Sequence, residues 1–130
     1  MQTVHDFLKK TGTYYFATMD GNQPRVRPFG TINLFEGRLY IQTGKKKAVA
    51  RQITANPRVE LSAFDGVTWL RVAATMAEDN RAEAQESMLA AYPSLRGMYA
   101  VNDGNSVVYY LKDAVATFYA FEGEPREVRF

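Results

Sequence analysis

Hydrophobic and polar positions along the chain change period several times, and each change marks an element. Val4, Phe7 and Leu8 recur at helical spacing, Thr3 and Asp6 stand at capping-box spacing, and Gly12 is placed to stop a short opening helix. The aromatic and β-branched density of TYYFATM predicts a strand from Thr13 to Met19, and Asp20-Gly21 signals a hairpin turn. The partner strand runs from about Pro24 to Leu34, after which Glu36-Gly37 turns the chain into RLYIQT, a strand ending near Thr43. Between Lys45 and Asn56 the period becomes helical, with Ala48, Val49 and Ile53 as a narrow apolar stripe that Asn56-Pro57 ends. VELSAF, the turn Asp65-Gly66 and TWLRVAATM then read as a second hairpin. Asn80 and Glu83 repeat the capping-box spacing before Ala84, Met88, Ala91 and Tyr92, a helix that Pro93 closes. A loop through Asp103-Gly104 leads to two last strands, SVVYYL and AVATFYAF.

Six or seven strands in hairpins with two to four short peripheral helices predict a mainly β fold, an antiparallel sheet closed into a small barrel with helices outside. At 130 residues the chain is one domain, residues 1–130. Size scaling expects about 6,900 Å² of exposed surface for a folded chain of this mass, enough burial for a real core. Hydrophobic content of 46% with 23% charged residues excludes disordered, collagenous and coiled-coil readings.

Chemistry narrows by exclusion first. With no cysteine there is no disulfide framework, thiolate metal site or cysteine nucleophile, which suits a cytoplasmic location. His5 is the one histidine, so a two-histidine metal site is excluded and no metal is expected. There is no Gly-x-Ser-x-Gly elbow, Gly-x-Gly-x-x-Gly fingerprint or phosphate-binding loop of the Walker type. MQTVHDFLKK lacks the order of a secretory signal, and no apolar run approaches the roughly 20 residues that span a bilayer, so no membrane association is expected. Sixteen basic against fourteen acidic residues leave a net charge of +2, so an anion site, if present, is local.

The most informative segment is QTGKKKAVARQI. Its strand ends at Gln42-Thr43, Gly44 turns, and Lys45, Lys46 and Lys47 are read as the first helical turn. Cations there oppose the helix dipole, each at a cost of about 0.3 to 1 kcal/mol. A phosphate would reverse that cost, because free N–H groups, the Thr43 hydroxyl and the ammonium groups converge on it. Otherwise the lysines splay into solvent. In PRVRPFGTINL, alternation places Arg25, Arg27, Phe29 and Thr31 on one face and Val26, Gly30, Ile32 and Leu34 on the other. Pro24 and Pro28 lack N–H groups, which leaves this strand partly unpaired or bulged. A planar ligand can use the open backbone at Pro28 to Gly30, with an arginine reaching its phosphate. Alternatively the arginines line a solvent face. In TWLRVAATM, Trp69, Arg71, Ala73 and Thr75 share a face, and Trp69 beside Arg71 either borders an aromatic anion or packs structurally.

Taken together, FLKKTGTYYFATMDGNQPRVRPFG, LYIQTGKKKAVARQITANPRVELSAF and WLRV resemble the FMN-binding split-barrel family typified by pyridoxamine 5′-phosphate oxidase, and more closely its short bacterial members. The resemblance implies a homodimer with FMN at the subunit interface and a small-molecule electron donor or acceptor. It implies that Arg25, Val26, Arg27 and Pro28 lie along the flavin, that Gln42 and Thr43 stand beside it, and that the Lys45 to Lys47 run, best Lys46 and Lys47, holds the phosphate. Trp69 stands where the oxidase strand commonly carries glutamine, and Ala74 where it carries glycine. The histidine-bearing substrate segment at the oxidase C-terminus has no counterpart in EPREVRF, so the resemblance implies the cofactor rather than oxidation of pyridoxamine phosphate. Two other readings stand beside a flavin oxidoreductase: a non-catalytic flavin, haem or deazaflavin binder of the same fold, and a barrel that stacks single-stranded nucleic acid, which the near-neutral charge disfavours. Tyr92, Tyr99 and Tyr109 are candidate proton donors that the sequence does not rank, so no catalytic residue is assigned.

Overall fold

The computed structural model describes residues 1–130. Three helices, α1 (Gln2–Thr11), α2 (Ala48–Ala55) and α3 (Ala82–Ala91), and a 3-10 turn at Pro93–Gly97 accompany eight strands. The strands are β1 (Tyr14–Asp20), β2 (Gln23–Phe29), β3 (Asn33–Phe35), β4 (Arg38–Gly44), β5 (Arg58–Phe64), β6 (Thr68–Glu78), β7 (Ser106–Ala120) and β8 (Arg126–Arg129). All pairings are antiparallel, in the order β2-β1-β5-β6-β7-β4-β3, with β8 added beside β7.

The two ends of this path, β2 and β3, are not paired, so the sheet is a split barrel rather than a fully closed one. Yet only residues 30–32 separate Phe29 from Asn33 in the chain, which holds the two ends within about 14 Å at the extended rise per residue. Side chains bridge the split. Tyr14 Oη donates to Thr31 O at 2.5 Å, and Gln42 N donates to Thr31 Oγ1 at 3.0 Å. The continuous strand expected from Pro24 to Leu34 is therefore two short strands joined by a crossing at Gly30 to Ile32.

Inside the curl, 22 buried residues form one core, to which α1 contributes Val4 and Leu8 and α2 contributes Val49 and Ile53. A smaller cluster of Tyr40, Ala84, Met88 and Val108 fixes α3 on the opposite face of β4 and β7. Both faces of β4 are thus covered, and Leu39 through Gly44 are all buried. Exposed surface totals 7117 Å², close to the size expectation. No helix is long and apolar enough to cross a membrane.

Several local expectations are corrected. SVVYYL and AVATFYAF belong to one strand, β7, because Asp113 and Ala114 bulge opposite Ala74, with Asp113 in the left-handed region at φ 51. Past the bulge, Ala114 stays in the core while its backbone exchanges bonds with Phe130, of 2.7 and 3.0 Å, which continue the β8 pairing. Neither capping box forms. Helix α1 starts at Gln2, so Thr3 lies inside its first turn and Asp6 instead accepts from Gln2 Nε2 at 2.8 Å. At α3 the N-cap is Arg81, whose N–H and guanidinium are held by Asp79. Gly12 does end α1, at φ 76, donating to Leu8 O.

Candidate functional site

The split between β2 and β3 opens into a cleft of about 170 Å³. Pro28, Phe29, Gly30 and Thr31 form one wall, the ends of β4 at Gln42 and Thr43 form the floor, and Leu95, Met98 and Tyr99 form the other wall, with Lys47 at one end. The Phe29 ring is fixed by stacking on Phe16 at 4.8 Å, and η-turn residues Leu95 and Met98 give the facing wall an apolar character. Gln42 is buried and immobilised, donating from Nε2 to Ser106 Oγ at 3.3 Å.

The lysine run does not occupy the first helical turn. Lys45 N donates to Asn105 O at 2.7 Å and Lys46 N to Asn105 Oδ1 at 3.1 Å, so these residues are committed to a turn and α2 begins three residues later, at Ala48, with Lys47 as N-cap. The N-terminus of α2 still lies beside the run, so the dipole argument holds with the charges ahead of the helix rather than within it. The three lysines are not equivalent. Lys45 Nζ lies 3.9 Å from Glu78, whereas Lys46 and Lys47 have no carboxylate partner. Arg51 is likewise without one, its Nη1 donating to Lys46 O at 3.2 Å.

The two arginines of β2 also differ. Arg25 is exposed and pairs with Asp20 at 3.3 Å. Arg27 turns its guanidinium inward, donating to Phe16 O at 3.1 Å, to Thr18 Oγ1 at 2.8 Å and to Gln52 Oε1 at 2.7 Å. Thr18 Oγ1 itself donates to Gln52 at 2.6 Å, so one network ties β1, β2 and α2 together. Burial lowers the Arg27 pKa, and no carboxylate offsets its charge. Arg27, Lys46, Lys47 and Arg51 therefore carry four positive charges without a carboxylate partner, two in the turn ahead of α2, one on α2 and one bonded to it through Gln52, a local excess that favours an anion near the helix N-terminus.

Of the residues read from the sequence, Pro28, Gln42, Thr43 and Lys47 meet at the cleft, whereas Arg25, Arg27, Lys45 and Lys46 do not line it. Val26 points outward and is 67% exposed. Trp69 and Arg71 are not at the cleft of their own chain: Trp69 stacks on Tyr119 at 5.4 Å, and Arg71 Nη2 bonds Tyr119 Oη at 2.5 Å on the outer face of β6. The tyrosines are now ranked. Tyr109 is buried in the core and pushed up to about 12, first by burial and then by Glu78. Tyr92 Oη is spent on both backbone groups of Ile32, at 3.1 Å each. Tyr99 alone lines the cleft. Sequence reasoning missed Thr18, Gln52, Arg51 and Asn105. Gln52 had a signal, a polar residue adjoining the Val49 and Ile53 stripe of α2, while Asn105 had none because its partners are about sixty residues away.

The sequence profile of the pyridoxamine 5′-phosphate oxidase family matches residues 1–130. A NimC/NimA family protein of Clostridium acetobutylicum is 40% identical, with a TM-score of 0.96 over 100% of this chain and 92% of that one. General Stress Protein 26 of Bacillus anthracis shares the fold at 14% identity, with a TM-score of 0.74 over 98% of each chain. A heme binding protein of Mycobacterium smegmatis does so at 14% identity and a TM-score of 0.68, over 92% of this chain and 53% of that one. No protein of curated function matches the chain.

Proposed function

Because the chain belongs to the pyridoxamine 5′-phosphate oxidase family, we propose that it binds FMN and acts as a small flavin-dependent oxidoreductase. The observation that carries this reading is an apolar-walled cleft with the Lys47 ammonium at one end and three more cations without carboxylate partners nearby in the fold, Lys46 beside it in the turn, Arg51 on α2 and Arg27 on β2, since FMN is a flat ring joined to a dianionic phosphate. Lys46, Lys47 and Arg51 are the phosphate ligands, and Arg27 adds field from behind through a rigid network. The backbone of Pro28 to Thr31, with Gln42 and Thr43, holds the ring edge. Bound flavin supplies hydride or electron transfer, and the protein contributes binding, orientation and exclusion of water.

The site is completed by a second copy. The outer face of the sheet carries Tyr15 and Phe64, each 55% exposed, beside the Trp69 and Tyr119 stack and Phe121, an apolar surface of the kind that associates. In this reading a C2 pair across that face would bring Trp69 and Arg71, which do not line the cleft of their own chain, to the cleft of the second copy. Light scattering should report about twice 14.7 kDa. The deciding experiment is the visible spectrum of the purified protein, followed by FMN and riboflavin titration and anaerobic reduction with NADH or NADPH. Flavin bands, FMN preferred over riboflavin and reduction of the bound flavin support the reading, whereas a Soret band or equal affinity for both flavins overturns it.

A further inference from the structure

Gly44 closes β4 where the strand meets the lysine turn, and its backbone is not in the left-handed region, so conformation does not require glycine there. Space does. An added Cβ would lie 3.1 Å from Tyr99 Oη, 3.2 Å from Asn105 Oδ1 and 3.3 Å from Asn105 Nδ2. Three polar atoms thus converge over one backbone position, and their uses differ. Asn105 Oδ1 accepts from Lys46 N, but Asn105 Nδ2 and Tyr99 Oη make no hydrogen bond within the chain. Tyr99 is only 8% exposed and is anchored by its own N–H donating to Leu95 O at 2.8 Å. No buried side-chain polar atom in the molecule lacks a partner, so neither group is sealed from solvent; Tyr99 lines the cleft, and the Asn105 amide stands beside it over Gly44. Both groups are reached by water, which an acceptor on a ligand can replace without loss of hydrogen bonding.

We propose that Tyr99 Oη and Asn105 Nδ2 form a donor pair over Gly44 that binds an oxygen acceptor of the ligand in the cleft, and that Gly44 is glycine to keep that position free. The inference rests on the flavin reading of the same cleft and deepens it by naming two ligand-binding residues from the segment after α3. Tyr99 Oη, Asn105 Nδ2 and the Lys47 ammonium can all donate, so a ligand atom held by them is an acceptor: a ring carbonyl or a phosphate oxygen. Tyr99 follows the 3-10 turn and is tied to it by its N–H on Leu95 O, and Asn105 directly precedes β7 with its N–H donating to Asp103 Oδ1 at 2.8 Å, so both backbones are fixed before the ligand binds.

The test uses the full-length protein and two ligands, FMN and riboflavin, titrated by quenching of flavin fluorescence. Tyr99→Phe keeps the buried ring and removes one donor. Asn105→Asp keeps the acceptor for Lys46 N and replaces the donor by an anionic oxygen. Gly44→Ala fills the shared position. Each should retain the parent's circular dichroism and melt within a few degrees of it. Tyr99→Phe should weaken binding about 5- to 10-fold, and Asn105→Asp by at least about 10-fold. Loss on both flavins assigns the acceptor to the ring, and loss on FMN alone assigns it to the phosphate; either upholds the pair. Unchanged affinity in both Tyr99→Phe and Asn105→Asp overturns the inference and leaves the flavin reading standing. A parent protein that binds neither flavin overturns both. Should one variant fail to fold, the other two carry the same comparison.

Discussion

Replacing Lys46 and Lys47 together by alanine moves fold stability and ligand affinity in opposite directions, and that opposition is diagnostic. Both side chains are exposed, unpaired and adjacent to the positive end of α2. Without ligand each is a misplaced cation costing about 0.3 to 1 kcal/mol at low salt. Screening reduces this, so the double variant gains no more than about 1 kcal/mol, a rise of roughly 3 to 4 °C in Tm for a domain of this size. With FMN the same lysines make charge-assisted contacts. At about 1.5 kcal/mol each, the low end for exposed groups, their loss weakens FMN about 100-fold and leaves riboflavin unchanged. Lys45→Ala is the control, because Lys45 already faces Glu78 and should alter FMN affinity by a small factor only. Differential scanning fluorimetry with and without each flavin, backed by direct titration, measures all four quantities. If the double variant binds FMN like the parent, or loses riboflavin equally, the lysines are solvent residues and the phosphate argument fails.

Arg27→Met removes three hydrogen bonds that join β1, β2 and α2, and should cost about 1 to 3 kcal/mol in urea unfolding while weakening FMN; a parental midpoint would show the network to be incidental. Asp79 is held below the ordinary carboxylate range first by Arg81 and then by Tyr40, against a burial penalty. A depressed folded pKa gives stability that is present above the unfolded value of about 3.9 and lost as pH falls through the folded one. Asp79→Asn should therefore melt lower than the parent at pH 7, with the gap narrowing from pH 4 to pH 2; a constant gap refutes the linkage.

Short-range grammar was legible wherever a single residue type dictates the backbone. Asp20-Gly21 specified the β1–β2 hairpin: Gly21 takes φ 61 at the first position of a two-residue loop, and Asp20 pairs with Gln23. Alternation likewise set Trp69, Arg71, Ala73 and Thr75 of β6 on one face, and the residues between them, Leu70, Val72, Ala74 and Met76, lie in the core. What failed was set by distant contacts. The start of α2 shifted because Asn105, about sixty residues on, holds the N–H groups of Lys45 and Lys46 in a turn, so that the helix begins only at Ala48. The β7 bulge was invisible because Lys112-Asp113 looks like a turn, and only the pairing with β6 and β8 keeps the strand continuous through it. At the site, the Arg25 and Arg27 pair was readable as a shared face, but not that Arg25 pairs with Asp20 while Arg27 reaches inward to Gln52.

The prolines of β2 explain why the cleft stays open. Pro24 and Pro28 are four residues apart, so both nitrogens face the same side of the strand, and the intact ladder with β1 requires that side to be the free edge. Of the outward-facing positions among residues 24–28, only Val26 retains an N–H. The edge that would otherwise close onto β3, or recruit a strand from another chain, is thereby stripped of donors. Side chains must bridge the split instead, and they do so from the far side of the crossing, through Tyr14, Thr31 and Gln42. A residue type chosen for what it cannot donate thus converts a sheet edge into the open wall of the cleft.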